Sequence, residues 1–161
     1  DKDLSAAENV GRLVLRGPSI FLGYLQPSTG EYIGLDDDGW FRTSDLISTD
    51  TAGRLYFYGR ADRLFKSGGK LVNPAAVERI LASHPSVRGV HCRPQPHAVL
   101  GFVPVADVAV VPGSEVSESE LRARCSEHLD SHATPVQITL CDTLRVAASG
   151  KADWRSPQRA E

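Results

Sequence analysis

Hydrophobic and polar residues alternate in short runs over the first third of the chain. Residues 12–16 alternate with a period of two and are followed by Gly17-Pro18, which predicts a strand that ends at a chain-breaking pair. Residues 40–47 and 54–58 predict two further strands, each preceded by a turn that contains glycine. Three strands at this spacing indicate a small antiparallel sheet or the end of a barrel. Such a sheet buries little apolar surface alone, so we expect residues 1–60 to derive from something larger.

The pattern changes after about residue 63 to one that mixes helices and strands. Asn73-Pro74 is an N-cap followed by proline at the first helical position, and His84-Pro85 is expected to end that helix. Its apolar face is predicted to consist of Val77, Ile80, Leu81 and Ala82. We therefore expect an α+β fold, with a small mostly-β part followed by an α+β domain.

Three more strands and one more helix are predicted beyond this point. Strands are expected at residues 87–91, 103–111 and 136–141, and the internal Pro104 indicates an edge strand or a strand that starts after it. Ser117 and Glu120 have the spacing of a capping box. The helix that they open carries one apolar stripe, made of Leu121, Cys125 and Leu129.

Composition narrows the class of protein but not its chemistry. The 161 residues are 41% hydrophobic and 24% charged, with a net charge of −2, which excludes a general basic surface for nucleic acid or anionic membrane. No run approaches the roughly 18 apolar residues of a membrane span, and the first residues lack the apolar core of a signal peptide. The three cysteines, Cys92, Cys125 and Cys141, are widely spaced and indicate reduced, buried thiols of a cytoplasmic protein.

Four segments stand out as carriers of chemistry, and their order is more informative than any one of them. They cover residues 11–25, residues 39–46 with Thr43-Ser44-Asp45, residues 59–70 with the sequence GRADRLFKSGGK, and Ala148-Ser149-Gly150-Lys151. In this order and spacing they resemble the later core motifs of the adenylate-forming superfamily: acyl-CoA synthetases, adenylation domains of peptide synthetases, and luciferases. The resemblance runs from about residue 11 to residue 153, which is almost the whole chain.

The resemblance implies a nucleotide site and a hinge. Asp45 matches the aspartate of the family's Thr-Gly-Asp motif, which accepts hydrogen bonds from the ribose hydroxyls of ATP. Arg60 matches an arginine near the ribose and phosphates, and Asp62 matches the hinge about which the C-terminal domain rotates. The middle residue of the motif is Ser44 instead of glycine, which would strain the backbone if the position required positive φ. The alternative readings are a turn carboxylate at a strand end for Asp45 and a solvated surface charge cluster for Asp62 with Arg60 and Arg63.

The resemblance also implies roles for two lysines and a glycine loop in the two steps of the reaction, which are adenylation of the acid and thioester formation. Lys66 matches a lysine that faces the active site during thioester formation, and Ser67-Gly68-Gly69 matches the loop beside which the pantetheine arm passes. A tight turn would require the two glycines for structural reasons alone. Lys151 matches a C-terminal lysine that reaches the substrate carboxylate and the α-phosphate during adenylation. Trp154 stands where relatives often have arginine.

The segment around His91 and His97 is where the chain departs most from the family. The two histidines bracket Cys92, but two prolines and the lack of a second ligand cluster favour a loop with incidental imidazoles. Gly101-Phe102 stands where a Gly-Glu pair is common. We predict no metal site in this chain.

Taken together, the motifs predict the C-terminal portion of an acyl-CoA ligase that converts ATP and a carboxylic acid to acyl-AMP and then to a CoA thioester. Residues 1–61 would be the last β subdomain of the N-terminal portion, and residues 62–161 the mobile C-terminal domain. The missing N-terminal portion would hold the phosphate loop, the acyl pocket and Mg²⁺, so the chain alone is expected to be inactive. It could be an expressed fragment, a proteolytic product or half of a split enzyme.

Two alternatives stay open. The first is a stand-alone adenylation enzyme that loads the phosphopantetheine thiol of a carrier protein in natural-product biosynthesis. The second is a non-catalytic interaction domain with the same fold, which Ser44, Trp154 and the altered segment at residues 91–102 favour.

Overall fold

The computed structural model describes residues 9–144, which form ten strands, two α-helices and a short 3-10 helix at Ala61–Arg63. One compact unit ends at Asp62 and a second begins at Arg63. Each of the three sheets found in the described residues lies within one unit. This combination of sheets and helices confirms the α+β fold class predicted from the sequence. Within residues 9–144, no helix has the length and apolar character needed to cross a membrane.

The first unit contains a three-stranded antiparallel sheet and a separate hairpin. The sheet has the order β1 (Val10–Leu15), β4 (Phe41–Thr49) and β5 (Leu55–Arg60), which confirms the three strands predicted there. The hairpin pairs β2 (Tyr24–Gln26) with β3 (Glu31–Ile33) and was not predicted. Many large apolar side chains of this unit are exposed, as expected for so small a sheet.

The second unit combines five strands with two helices. Its elements in chain order are β6 (Phe65–Ser67), β7 (Lys70–Val72), α1 (Pro74–Ala82), β8 (Val87–His97), β9 (Gly101–Val110), α2 (Glu118–His128) and β10 (Gln137–Cys141). Strand β9 is central: it pairs in parallel with β10 and antiparallel with β8 and β6, and β7 extends the sheet from β6.

The hydrophobic core of the second unit lies between the two helices and the sheet. Helix α1 contributes Val77 and Leu81, which lie one turn apart on the same face, and α2 contributes Leu121 and Cys125 in the same way. The strands supply the remaining members of the cluster, which are Cys92, Ala106, Val108 and Ile138. All eight side chains are at most 1% exposed. Burial of this apolar surface is the main stabilising contribution to the unit.

The helix termini follow the local sequence signals, with two corrections. Asn73 Oδ1 accepts a hydrogen bond from the Ala75 amide at 3.1 Å, which confirms the predicted N-cap. Ala82 was predicted to be part of the apolar face but is exposed, because it follows Leu81 and is rotated by about 100° away from the face that carries Val77 and Leu81. Ser117 Oγ caps α2 by accepting from the Glu120 amide at 3.1 Å. The side chain of Glu120 lies 3.1 Å from His84 Nε2, a contact that the capping-box pattern did not predict.

The prediction of a loop between His91 and His97 is wrong, because β8 continues to His97. Pro94 faces Pro104 across the β8–β9 ladder, and Pro96 faces Phe102 two positions further along. Two prolines opposite each other cannot form a hydrogen-bonded pair, so these positions must be the non-bonded ones of the antiparallel ladder. The nitrogens of Pro94 and Pro96 therefore point to the outer edge of β8, where no ladder hydrogen bond is lost.

Pro104 lies inside the central strand β9. The prediction that it marks an edge strand, or a strand that starts after it, is therefore wrong. The carbonyl oxygen of Pro104 points away from β8 and accepts a hydrogen bond from the Val136 amide at 2.9 Å. On that side, β6 pairs at Gly101 and β10 pairs from Val105 onward, so the proline falls in the gap between the two partners. A central strand accommodates proline at such a gap because no amide is required there.

Candidate functional site

Asp45 lies in the middle of β4, at a bulge between β4 and β1. Arg12 pairs with Leu46 and Val14 pairs with Arg42, so three residues of β4 oppose one residue of β1. Thr43 fixes this bulge: its hydroxyl donates to the Leu13 carbonyl at 2.9 Å and accepts from the Asp45 amide at 3.0 Å. Asp45 is therefore a strand residue held by its neighbours, which excludes the alternative of a turn carboxylate.

Ser44 stands where the family's motif has glycine, and its backbone is not strained. Among residues 9–144, no residue other than glycine has a positive φ. Ser44 lies within β4 and its φ is negative, so the position does not require the left-handed backbone that favours glycine. The departure from the family's Thr-Gly-Asp motif therefore does not distort the position of Asp45.

Arg60 connects Asp45 to Asp62. Arg60 is the cross-strand partner of Asp45, and its Nη1 lies 3.2 Å from Asp45 Oδ1. The same guanidinium binds Asp62 through two parallel hydrogen bonds, Nε to Oδ1 at 3.0 Å and Nη2 to Oδ2 at 2.7 Å. The three side chains form one exposed network at the end of β5, which we call the Arg60 cluster.

The Arg60 cluster is net negative, since one guanidinium faces two carboxylates. The hydrogen bonds that Arg60 donates to Asp62, and to a smaller extent the charge of Asp45, raise the pKa of Arg60 above its ordinary value. The guanidinium is 44% exposed, so a ligand has access to it. The Asp45 carboxylate can accept hydrogen bonds from a neutral diol. The exposed Arg60 guanidinium can donate to an anionic group, which would compete with Asp62 for it.

Lys66 and the glycine pair form a hairpin in the second unit. Lys66 lies on β6 opposite Leu71, with its side chain exposed, and the next residue, Ser67, is buried. Gly68 and Gly69 form the two-residue turn between β6 and β7, with φ of +56° and +82°. Two consecutive positive φ values define a type I′ hairpin turn, which favours glycine at both positions. The turn thus explains both glycines structurally, whatever their role toward a ligand.

The β8–β9 turn supports this hairpin. The Gly68 amide donates to the Leu100 carbonyl at 3.0 Å, and Ser67 pairs with Gly101. A Cβ at Gly68 would lie 3.2 Å from Leu100 Cδ2, whereas a Cβ at Gly69 would meet nothing within 4 Å. His97 Nδ1 orders the supporting turn by accepting from the amides of Val99 and Leu100, each at 3.2 Å.

Lys151 and Trp154, two of the residues that the sequence motifs singled out, lie outside the residues that the structure describes. In the described part of the chain, no group of three or more His, Cys, Asp or Glu side chains could hold a metal ion. Cys92 and Cys125 are buried and Cys141 is partly exposed; all three are free thiols. Burial raises the pKa of Cys125 to about 11 and that of Cys92 further still.

The ion pair that follows the candidate hinge was not predicted from the sequence, which offered Arg63 only as part of a solvated charge cluster. Arg63, the residue after Asp62, forms a bidentate ion pair with Glu78 of α1. No local pattern indicates this pair, because its members lie 15 residues apart in the chain. The role of Thr43 was accessible in principle, since threonine two residues before a backbone amide commonly accepts its hydrogen bond.

Residues 76–151 of the chain match the family described as the AMP-binding enzyme C-terminal domain. The whole chain is also similar to 3-[(3aS,4S,7aS)-7a-methyl-1,5-dioxo-octahydro-1H-inden-4-yl]propanoyl:CoA ligase of Mycobacterium tuberculosis. Identity is 34% over 161 residues, which are 100% of this chain and 31% of the relative.

Two solved structures share the fold. The o-succinylbenzoate CoA synthetase of Bacillus subtilis, in complex with its acyl-adenylate intermediate, has a TM-score of 0.79 and 29% identity; the match covers 96% of this chain and 32% of that one. The amide bond synthetase of Marinactinospora thermotolerans has a TM-score of 0.78 and 27% identity, over 91% of this chain and 30% of that one. The chain thus spans about a third of the length of these proteins.

Proposed function

The chain belongs to the adenylate-forming superfamily, and we propose that it is the C-terminal portion of an ATP-dependent acyl-CoA ligase. The observation that carries this proposal is the Arg60 cluster, in which a cross-strand Asp45–Arg60 pair meets the side chain of Asp62, the last residue of the first unit. In this network, Asp45 would accept hydrogen bonds from the ribose hydroxyls and Arg60 would donate hydrogen bonds to phosphate oxygens. Through Arg60, both would be connected to the hinge residue, Asp62.

Asp45 would bind the ribose of ATP. An ionised carboxylate has two oxygens that accept hydrogen bonds, so it matches the two adjacent hydroxyls of a ribose. The Asp45 side chain is partly exposed, and the bonds that Thr43 makes to the neighbouring backbone fix its position. Arg60, beside it, would donate to the ribose or phosphate oxygens with a planar fork.

The two lysines would serve the two half-reactions. In the first, a carboxylate oxygen of the acid attacks the α-phosphorus of ATP, and the bond to pyrophosphate breaks. Lys151 would stabilise the charge that develops on the phosphate oxygens. In the second, the thiol loses its proton to solvent, its sulfur attacks the acyl carbonyl carbon, and AMP leaves with the electron pair of the broken carbon–oxygen bond. Lys66 would face the reacting groups in this step, with Ser67, Gly68 and Gly69 beside the pantetheine arm.

Magnesium would be held outside this chain. No group of acidic side chains that could bind a metal is found within residues 9–144. The ion would accompany the phosphates of ATP, and we place its protein ligands in the N-terminal portion of the proposed enzyme, together with the acyl pocket.

A carrier-protein thiol is the second candidate acceptor, because phosphopantetheine and CoA share the same arm. The two are separated by supplying the longer protein that contains this chain with ATP, an acid and either free CoA or a phosphopantetheinylated carrier protein. Acyl-CoA as the only product supports the CoA ligase, and acyl transfer to the carrier alone supports the alternative. Absence of acid-dependent ATP–pyrophosphate exchange over a panel of carboxylic acids would contradict both and favour a non-catalytic domain.

A further inference from the structure

The first side chain after Asp62 is bound to both a helix and a strand of the second unit. Arg63 Nη2 lies 2.6 Å from Glu78 Oε1, and Arg63 Nη1 lies 3.2 Å from Glu78 Oε2. This is the two-bond geometry in which guanidinium and carboxylate interact most strongly. Both side chains are partly buried, with exposed fractions of 36% for Arg63 and 21% for Glu78.

The same ion pair also satisfies the backbone of β8. The Cys92 amide donates to Glu78 Oε1 at 2.9 Å, and Arg63 Nη2 donates to the Cys92 carbonyl at 3.0 Å. Cys92 occupies a non-bonded position of the β8–β9 ladder, in phase with Pro94, so its amide and carbonyl point outward. The ion pair thus supplies the acceptor and the donor that a neighbouring strand would otherwise provide.

Four hydrogen bonds therefore join Arg63, α1 and β8 in one closed network. Each member depends on the others, because removal of one side chain would leave a partly buried charge and an unpaired backbone group. Cys92 itself is anchored from the other side, since its thiol is a member of the hydrophobic core. The backbone at Arg63 is thereby tied, through its side chain, to a helix and a strand that both contribute to the hydrophobic core of the second unit.

We propose that Arg63 and Glu78 are positioning residues that end the hinge. A change in backbone dihedral angles at Asp62 would stop at Arg63, whose side chain is fixed to α1 and β8. Lys66, three residues further on β6, would then turn with the second unit as part of one rigid body. This inference rests on the proposed function, because it assigns to the network a role in placing Lys66 for the thiol step.

Hydrogen exchange in the 161-residue chain tests the network without any catalytic assay. In Glu78→Gln, which loses the charge but keeps one acceptor, we expect the Cys92 amide to exchange about fivefold faster or more. The His91 amide is the internal reference. Successive amides of a strand point to opposite sides, so the His91 amide points toward β9 and not toward Glu78. Glu127→Gln is the matched control: Glu127 is exposed, and none of the hydrogen bonds or ion pairs found in the described residues involves its side chain. Equal exchange at Cys92 in both variants would overturn the network.

The positioning role is tested in the longer protein by measuring the two half-reactions separately. Arg63→Lys keeps the charge but loses the fork, and we expect kcat of the thiol step to fall about tenfold while the KM values for acid and ATP stay unchanged. Adenylation should change less than threefold, and Glu127→Gln should leave both steps unchanged. If the wild-type protein catalyses both steps and Arg63→Lys alters neither, or lowers both equally, the positioning role is overturned. If the wild-type protein catalyses neither step, the proposed function itself fails.

Discussion

Arg60 and Asp62 are joined by two parallel hydrogen bonds of 3.0 and 2.7 Å, across a single intervening residue. The residue proposed to bind the nucleotide is thus bonded directly to the residue proposed to be the hinge. Because a nucleotide would compete with Asp62 for the guanidinium, occupation of the site and freedom of the hinge are expected to be linked. Both side chains are well exposed, so the pair is worth at most about 1 kcal/mol.

The exchange of partners at Arg60 leads to a prediction about nucleotide affinity. In Asp62→Asn, Arg60 loses one of its two charged partners and becomes more available, so AMP should bind up to about fivefold more tightly. In Asp45→Ala, the acceptor for the ribose is lost and the affinity should fall about tenfold or more. The measurement is a titration of the 161-residue chain with AMP, followed by NMR. Weaker binding in Asp62→Asn than in the wild type would contradict the competition.

The 161-residue chain alone is expected not to form acyl-AMP from any acid. We propose that the phosphate loop and the acyl pocket are supplied by another part of the protein, so the chain would lack the groups that hold ATP and the acid in line. Pyrophosphate release by the purified chain, with a panel of carboxylic acids, is the measurement. A rate typical of enzymes, about 1 s⁻¹ or more, would show that the chain is sufficient.

Gly68 is predicted to be required for the stability of the β6–β7 hairpin. Its φ is +56°, and an added Cβ would approach Leu100 Cδ2 to 3.2 Å. Gly68→Ala should therefore lower the free energy of unfolding by about 1–2 kcal/mol. Gly11→Ala is the control, because a Cβ there meets nothing within 4 Å and its φ is not in the left-handed region. Denaturant unfolding checks both variants; equal effects would contradict the strain at Gly68.

His91 is predicted to make stability depend on pH below neutrality. Burial, and after it the charge of Arg63, lowers the pKa of His91 below its ordinary value of 6.5, although Glu78 and Asp107 act in the opposite direction. Between the lowered pKa and 6.5, the unfolded chain binds more protons than the folded one. The free energy of unfolding should therefore decrease as the pH falls through 6.5, by at most about 1.4 kcal/mol per pH unit.

The variant His91→Gln should lose less stability than the wild type between pH 7 and pH 5. His128→Gln serves as the control, because His128 is exposed on α2. Thermal or denaturant unfolding at a series of pH values gives the comparison. The same slope in the wild type and in His91→Gln would show that other groups cause the pH dependence.

Features governed by neighbours in sequence could be predicted, and features governed by register could not. Asn73-Pro74 and Ser117 mark helix starts through hydrogen bonds that span two or three residues, so the sequence contains the whole signal. The extension of β8 through Pro94 and Pro96 depends on their phase relative to β9. This phase is set only when the ladder forms, because a shift by one residue would turn both proline nitrogens toward β9.

The candidate site shows the same division. The resemblance to the adenylate-forming superfamily identified Asp45 and Arg60, and the structure adds that they are cross-strand partners, which depends on the bulges in β4 and β5. The link between Arg63, Glu78 and Cys92 joins residues 14 to 29 positions apart. Such contacts follow from tertiary packing, and no periodicity in the sequence indicates them.

The most direct test of the proposed function measures the two half-reactions separately for Lys151→Ala and Lys66→Ala in the longer protein. Lys151→Ala should slow adenylation by about 10²–10³, or about 3–4 kcal/mol, and leave thioester formation from supplied acyl-AMP nearly unchanged. Lys66→Ala should slow mainly the thiol step, and the exposed neighbour Lys70→Ala should alter neither. Equal losses in both half-reactions for Lys151→Ala, or no loss in adenylation, would contradict the assignment of the two lysines to separate steps.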